Sequence, residues 1–177
     1  MRITLFEPDI PQNVGAIVRL CACLGIPLDV IEPCGFVFDD RRLMRVALDY
    51  LDKVHIYRLV SWDAFLESRR GDANVGRLVL LSTKAEISYT DFAFCENDTL
   101  ILGRESKGVT RAIHETADAR LKVPMQSGVR SLNVALAAAM VVGEALRQTT
   151  GRHRESRRCC LLYTSDAADE RSSVDLG

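Results

Sequence analysis

The chain has 177 residues, of which 47% are hydrophobic and 27% are charged, and its formal net charge is −1. A chain of this length is expected to form one domain that buries a substantial core. The nearly balanced charge excludes the global basic field that marks many nucleic-acid binders. Any binding of nucleic acid must therefore be local.

No apolar run in the sequence has the length of a membrane span. Charged residues or glycines interrupt each run before the roughly 18 uncharged residues that a span requires. The residues from Met1 to Phe6 pass directly into a strand-like pattern and lack the features of a signal peptide. We therefore expect a cytoplasmic protein with no membrane partner.

The first half of the chain alternates strand and helix patterns. Ile3 to Phe6 is a predicted strand, and Asn13 to Leu24 is a predicted helix, capped by Asn13 and ended near Gly25. The next predicted elements are a strand from Leu28 to Ile31, a helix from Asp40 to Tyr50, a strand from Val54 to Val60 and a short helix with Trp62, Phe65 and Leu66.

The second half continues the alternation. Its predicted elements are strands at Leu78 to Leu81 and Thr99 to Leu102, a helix around Val109 to Thr116, a strand from Arg120 to Pro124 and a helix from Ser131 to about Arg147. The first two strands are nearly all apolar, as is typical of strands buried on both faces. Repeated alternation predicts an α/β protein with a doubly wound, mainly parallel sheet.

The last predicted helix carries apolar residues on nearly every face, including Val134, Leu136, Met140, Val141 and Leu146. Such a helix must be buried on more than one side. In a domain of this size a second subunit is the simplest way to cover it, so we expect a homodimer. A central core helix within one chain is the alternative.

The sequence changes character after residue 151. Residues 152–158 are densely basic, and residues 165–177 are small, polar and acidic without helical or strand periodicity. We interpret residues 1–151 as the folded domain and residues 152–177 as a disordered, non-native tail.

Six cysteines are present, but no Cys-x-x-Cys pair occurs among them. Cys21 and Cys23 lie two apart on a predicted helix and therefore face different ways. We expect buried, reduced thiols and no metal site.

Three polar clusters lie at predicted strand-to-helix turns. They are Asn13-x-Gly15-x-x-x-Arg19, Gly103-Arg104-Glu105-Ser106-Lys107-Gly108 and Arg130-Ser131-Leu132-Asn133. In open α/β sheets, ligands bind at such turns, at the carboxyl ends of the strands. The clusters also have plain structural interpretations, as a helix cap, ordinary turn glycines and solvated charges.

Two common phosphate-binding motifs are excluded. Gly103 and Gly108 have the spacing of a Walker A loop, but Val109 occupies the place of its lysine. The turn from Glu7 to Gly15 lacks the three glycines of a dinucleotide-binding fingerprint. Neither nucleoside triphosphate nor NAD chemistry is supported.

Taken together and in this order, the clusters resemble the SPOUT superfamily of RNA 2'-O-ribose methyltransferases. The flanking sequences Phe6 to Asn13, Ile31-Glu32-Pro33 and Ala47 to Tyr50 are more narrowly similar to the tRNA (cytidine/uridine-34)-2'-O-methyltransferases. The resemblance covers residues 1 to about 150 and implies a deep trefoil knot in the C-terminal part of the fold. Arg104 departs from the narrower pattern, which often has proline there.

The resemblance implies S-adenosylmethionine as cofactor and no metal. The implied cofactor-binding residues are Leu81, Gly103, Glu105, Val123, Ser131, Leu132 and Asn133. Their types suit this ligand, because the apolar side chains offer walls for an adenine ring and the glycine lets the backbone approach. Glu105 is also expected to order its loop or to pair with Arg19 or Arg104, and a role as general base is the second choice for it.

Methyl transfer to a ribose 2'-hydroxyl requires the loss of a proton from a weak acid. Arg19 is the catalytic residue that the resemblance implies. A guanidinium stays protonated, so we expect it to stabilise the developing alkoxide or to grip the adjacent phosphate. No histidine lies within a cluster, which disfavours a histidine base.

The implied partner is the anticodon loop of tRNA, since RNA is read at single-stranded bases and by shape. Asn13 and the helix-face arginines Arg41, Arg42 and Arg45 are the predicted RNA contacts. Two alternatives stay open from the residues alone. One is 2'-O-methylation of ribosomal RNA or of another tRNA position, and the other is a non-catalytic RNA-binding module.

Overall fold

The computed structural model describes residues 1–37, 48–71 and 75–151. Its helices are α1 (Pro11–Leu24), α2 (Trp62–Arg69), α3 (Arg111–Thr116) and α4 (Val134–Gly151). Its strands are β1 (Arg2–Phe6), β2 (Leu28–Ile31), β3 (Ile56–Leu59), β4 (Leu78–Leu81), β5 (Ile87–Ser88), β6 (Thr99–Leu102) and β7 (Ala119–Lys122). Short 3-10 helices cover Leu48–Lys53 and Tyr89–Asp91.

Within the described ranges, seven strands form one sheet in the order β3-β2-β1-β6-β4-β7-β5. Every pairing is parallel, so the predicted parallel α/β sheet is confirmed. The chain winds outward from β1 to β2 and β3, and the remaining strands lie on the other side of β1. The strand order therefore reverses between β1 and β6, and such a switch point is where open α/β sheets bind ligands.

Helices cover both faces of the sheet and create two cores. On one face, residues of α1 and α4 such as Val18 and Val142 pack with Ile3 and Leu100 of the sheet. On the other face, Phe65 of α2 and Ile113 of α3 pack with sheet residues including Ile101. All four residues of β6 are buried, and its three apolar side chains alternate between the two cores, with Leu100 and Leu102 in one and Ile101 in the other.

Helix α1 begins two residues earlier than predicted, at Pro11. Ile10 holds the cap position and makes no side-chain cap bond, while Pro11 brings a φ angle already suited to the first turn. The prediction that Asn13 caps this helix is therefore wrong. Its side chain lies inside the first turn and has other partners, described below.

Other boundaries also differ from the predictions. Helix α4 begins at Val134 rather than Ser131, and the two-residue strand β5 was too short to predict from periodicity. Most of the helix predicted from Asp40 to Tyr50, and all of the predicted tail, lie outside the described residues. No helix in the described segments is both long and apolar enough to cross a membrane.

The prediction of buried thiols holds for Cys21 and is wrong for Cys23 and Cys95, which are exposed. Residues two positions apart on a helix point about 200° away from each other around its axis, so Cys21 faces the core while Cys23 faces outward. Burial raises the pKa of the Cys21 thiol to about 12, which makes this thiol unreactive at neutral pH.

Candidate active site

A cavity of about 500 Å³ opens at the carboxyl edge of the sheet, beside the ends of β4, β6 and β7. All seven residues that the resemblance assigned to cofactor binding line it: Leu81, Gly103, Glu105, Val123, Ser131, Leu132 and Asn133. They come from four separate chain segments. Parallel pairing brings these segments together because it aligns the strand ends at one edge.

The loop between β6 and α3 forms one wall of the cavity and closes on itself. Arg104 and Gly108 exchange two backbone hydrogen bonds, of 3.0 and 2.8 Å. A Cβ atom at Gly103 would stand 2.7 Å from the carbonyl carbon of Gly108 and 2.9 Å from Val109. Gly108 has a φ of 71°, in the left-handed region that favours glycine. Both glycines are therefore required by the compact shape of this loop.

One series of hydrogen bonds joins the three polar clusters. The Asn13 amide nitrogen donates to Glu105 Oε1 over 2.8 Å, and the Asn13 amide oxygen accepts from Asn133 Nδ2 over 2.8 Å. Asn133 Oδ1 in turn accepts from the backbone N–H groups of Ala135 and Leu136 and caps α4. The buried Asn13 thus connects the loop between β6 and α3 with α4.

Glu105 pairs with neither of the arginines suggested for it. Its second carboxylate oxygen accepts from the backbone N–H of Asp9 over 2.9 Å. The expected pairing with Arg19 or Arg104 is therefore wrong, although the expected ordering of the loop is confirmed by these contacts to the β1–α1 turn. Arg104 instead reaches Glu7 and Asp9 of that turn.

The sequence did not single out Glu7, Asp9 and Arg104 as partners. The available signal was the opposite charge of the segment after β1, with Glu7 and Asp9, and the segment after β6, with Arg104. This signal could not predict the pairing, because nothing local indicates that β1 and β6 are neighbours.

The cavity mouth carries positive charge. Lys84 and Lys107 are exposed and line it, as does His114 of α3. His114 lies outside the three clusters in the sequence and lines the cavity only through the tertiary structure. The lysines give the mouth a charge that suits an RNA phosphate backbone.

Arg19 does not line this cavity. It follows Asn13 by six residues on α1, which moves it about 9 Å along the helix and roughly 240° around it. Its exposed guanidinium carbon lies 5.1 Å from the centroid of the Tyr50 ring. Of the predicted RNA contacts, Asn13 is buried with both ends of its amide bonded within the chain, and Arg41, Arg42 and Arg45 lie outside the described residues.

Within the described ranges, no group of three or more histidine, cysteine, aspartate or glutamate residues could hold a metal ion. The cavity walls combine apolar side chains with backbone, neutral polar and a few charged groups, as small-molecule sites generally do. The fold and the cavity together define an α/β protein with a candidate ligand site at the carboxyl edge of its parallel sheet.

Comparison with known proteins identifies the family. A model of the SpoU rRNA Methylase family matches residues 1–143, and the chain belongs to that family. The resemblance noted from the three clusters is thereby confirmed. The tRNA (cytidine(34)-2'-O)-methyltransferase of Ancylobacter novellus is 51% identical over 151 residues, which cover 85% of this chain and 94% of that relative.

Solved structures agree with this assignment. One solved structure is described as giving structural insights into the 2-OH methylation of C/U34 on tRNA. It is 38% identical to this chain with a TM-score of 0.79, and the match covers 85% of this chain and 97% of the solved chain. The SpoU methyltransferase AviRb from Streptomyces viridochromogenes, in complex with the cofactor AdoMet, is 27% identical with a TM-score of 0.75. That match covers 89% of this chain and 61% of AviRb.

Proposed function

We propose that the protein is a cytoplasmic, S-adenosylmethionine-dependent methyltransferase that modifies the ribose 2'-oxygen of the wobble nucleotide, cytidine or uridine 34, in tRNA. The observation that carries the proposal is the meeting of all three clusters at one cavity, in a chain whose relatives are named for this reaction. The anticodon loop is the partner of this site.

The cavity fits the cofactor. Its volume lies within the range of roughly 300–1,000 Å³ that is usual for small-molecule sites. Leu81, Val123 and Leu132 offer apolar surface for an adenine ring, and Gly103 allows close approach of a ligand to the backbone. S-adenosylmethionine supplies an electrophilic methyl group on a sulfonium. The tightly closed loop helps to keep this ligand in one geometry, which is what methyl transfer requires.

Arg19 is the proposed catalytic residue. The 2'-hydroxyl becomes negatively charged as it loses its proton, and a fixed guanidinium stabilises such a developing charge. Because Arg19 lies outside the cavity of its own chain, it must act at the cavity of a second copy. Lys84 and Lys107 at the mouth, together with Arg41, Arg42 and Arg45, are proposed to hold the RNA phosphates.

A homodimer is part of this proposal. Leu136 and Met140 of α4 are 58% and 42% exposed, although both are large and apolar. Ile10 and Leu132 are also exposed, and these two line the cavity mouth. The apolar surface formed by Ile10, Leu132, Leu136 and Met140 therefore borders the cavity. A second copy seated on it would be placed to bring its own Arg19 to that cavity.

The proposal extends to the fold, which we infer to contain the deep trefoil knot implied by the family resemblance. Two observations support it: β7 lies between β4 and β5 in the sheet, and α4 then packs back against α1. Both features are expected of a chain that passes across its own earlier loops. Electron density traced continuously from Lys122 to Val134 in a crystal structure tests the knot.

The test of the activity is methylation of bulk tRNA with labelled S-adenosylmethionine, followed by nuclease digestion and mass mapping. We expect a 2'-O-methylated nucleoside at position 34, and its loss in Arg19→Ala. Arg70→Ala is the matched control, because Arg70 is 77% exposed in a surface pair with Glu67, away from the cavity. A base-methylated product, or full activity of Arg19→Ala, would contradict the assignment.

Ribosomal RNA is the second candidate substrate, since the family is described by rRNA methylation. The same assay with ribosomal RNA from a deletion strain separates the two substrates. Preferred methylation of ribosomal RNA would overturn the proposed tRNA substrate without affecting the proposed chemistry. Mixing Arg19→Ala with the cavity variant Gly103→Ala tests the shared site, because mixed dimers should regain one functional cavity.

A further inference from the structure

Three consecutive residues of the loop between β6 and α3 contact the β1–α1 turn, and Arg104 is the first. Its Nη1 donates to Glu7 Oε2 over 2.8 Å. Its Nη2 and Nε donate to Asp9 Oδ1 over 2.8 and 3.2 Å. A planar guanidinium that binds two carboxylates at once is a strong and directional link.

The next two residues add contacts in both directions. Ser106 donates to Asp9 Oδ2 through its hydroxyl and through its backbone N–H. Glu105 accepts the backbone N–H of Asp9. Asp9 therefore accepts from the loop and also donates to it, so the two segments cannot slide past each other without breaking several bonds.

These ion pairs are shielded from water more than an ordinary surface pair. The side chains of Arg104, Glu7 and Asp9 are 26%, 23% and 18% exposed, whereas those of Arg70 and Glu67 are 77% and 67% exposed. Surface pairs contribute little because water and salt screen them. The pairs of Arg104 are expected to contribute more, since they are less accessible.

The turn also needs restraint. Glu7 has a φ of 44°, a left-handed conformation that is uncommon for a residue other than glycine. Such a conformation persists where surrounding contacts hold it, and the bond from Arg104 to the Glu7 carboxylate is one of them. Without the guanidinium, the carboxylates of Glu7 and Asp9 would lose the positive charge that both of them contact in this turn.

We propose that Arg104 is a positioning residue: through Glu7 and Asp9 it holds the loop from Gly103 to Gly108 in the shape that receives the cofactor. This inference rests on the proposed function and deepens it, since it assigns a task to a residue where the family often has proline. Arg104 acts through the loop backbone at Gly103 and takes no part in proton transfer.

The test is the affinity of the full chain for S-adenosylmethionine, measured by calorimetry, together with kcat at saturating cofactor. For Arg104→Gln we expect Kd to rise on the order of tenfold, while kcat at saturation changes by less than about twofold. Arg104→Lys should recover part of the affinity, because it keeps one charged donor. Arg70→Gln is the control and should match the parent protein in both quantities.

A double-mutant cycle separates positioning from general destabilisation. If Arg104 acts through Asp9, the losses of the two single variants should not add. The double variant Asp9→Asn/Arg104→Gln should then bind S-adenosylmethionine with a Kd no higher than the higher Kd of the two single variants. Strictly additive losses, or an Arg104→Gln variant with the parental Kd, would overturn the inference. If Arg104→Gln does not fold, Asp9→Asn alone carries the same prediction for Kd. Parent protein without affinity for S-adenosylmethionine would instead refute the proposed function.

Discussion

At the scale of single residues, each asparagine of the clusters has a role that depends on both ends of its amide. Asn133 uses its oxygen to cap α4 and its nitrogen to reach Asn13. Asn13 uses its oxygen to accept that bond and its nitrogen to hold Glu105. An amide is the side chain that both donates and accepts in this way, so aspartate or leucine of similar size could not replace it.

Gly103→Ala is predicted to weaken cofactor binding roughly tenfold or more and to destabilise the fold by about 1–3 kcal/mol. The reason is the 2.7 Å approach of the added Cβ to Gly108. Calorimetry and thermal unfolding provide the two measurements. Ile3→Val is the stability-matched control, because it removes one methylene from a fully buried side chain that does not line the cavity, at a cost of about 1 kcal/mol. Equal affinities for the two variants would contradict the prediction.

Asp9 should titrate far below an ordinary aspartate. Hydrogen bonds from Arg104, and then from Ser106, lower the pKa of Asp9 to about 2. An acid with a lower pKa in the folded state stabilises the fold above its unfolded pKa, and that contribution is lost as the pH falls toward 2. Carbon-detected NMR of the Asp9 carboxyl measures the midpoint. Arg104→Gln should raise it toward the ordinary value of 3.8, and a parental midpoint near 4 would refute the link.

At the scale of elements, α4 is buried on one side and exposed with apolar residues on another. Val141, Val142 and Ala138 lie in the core, whereas Leu136 and Met140 are exposed. The sequence pattern predicted a helix that is buried on more than one side, and the exposed apolar side chains agree with a second packing surface. Within the described residues nothing buries the face of α4 that carries Leu136 and Met140, which is why the dimer contact is proposed on this face.

Leu136→Glu is predicted to convert the dimer to a monomer, because a charge would have to be desolvated in the apolar contact. Sedimentation equilibrium measures the change in mass. Methylation should be lost with it, since Arg19 must come from the second copy. Val60→Glu is the control: Val60 is 78% exposed and apolar but lies after β3, far along the chain from α4. A monomeric parent protein with full activity would refute the proposed arrangement.

At the scale of the whole molecule, the cavity connects segments that are distant in the chain. Cofactor bound there would contact the ends of β4, β6 and β7 and the start of α4 at the same time. A ligand that binds only the folded state stabilises it by mass action, by about 2.7 kcal/mol at a concentration of 100 Kd. The effect belongs to the entire domain and not to the loop alone.

Saturating S-adenosylmethionine should therefore raise Tm by about 5–10 °C, since 1 kcal/mol corresponds to roughly 2–4 °C for a domain of this size. Differential scanning calorimetry measures the shift. ATP at the same concentration is the control ligand, because it shares the adenosine but lacks the sulfonium and its methyl group. A similar shift with ATP would indicate a general nucleotide site and would contradict the cofactor assignment.

Much of the fold could be predicted from the sequence because the relevant signals are local. Short apolar runs such as Leu78–Leu81 and Thr99–Leu102 mark buried strands, and the intervening amphipathic segments mark helices. Predictions failed where a second residue or a distant contact outweighed a local sequence rule. Asn13 fits a cap by type, but Pro11 already starts the helix, and the Asn13 amide serves a contact with a segment 120 residues away.

The sequence by itself determined the α/β class and the chemical character of the site, since residue type and spacing carry both. Only the tertiary structure decided which segments meet: Arg104 with Glu7 and Asp9, Glu105 with Asn13, and Arg19 with Tyr50 outside the cavity. The physical reason is the strand order. Placing β6 beside β1 requires the packing of the whole sheet, and no local pattern of polar and apolar residues specifies which parallel strands become neighbours.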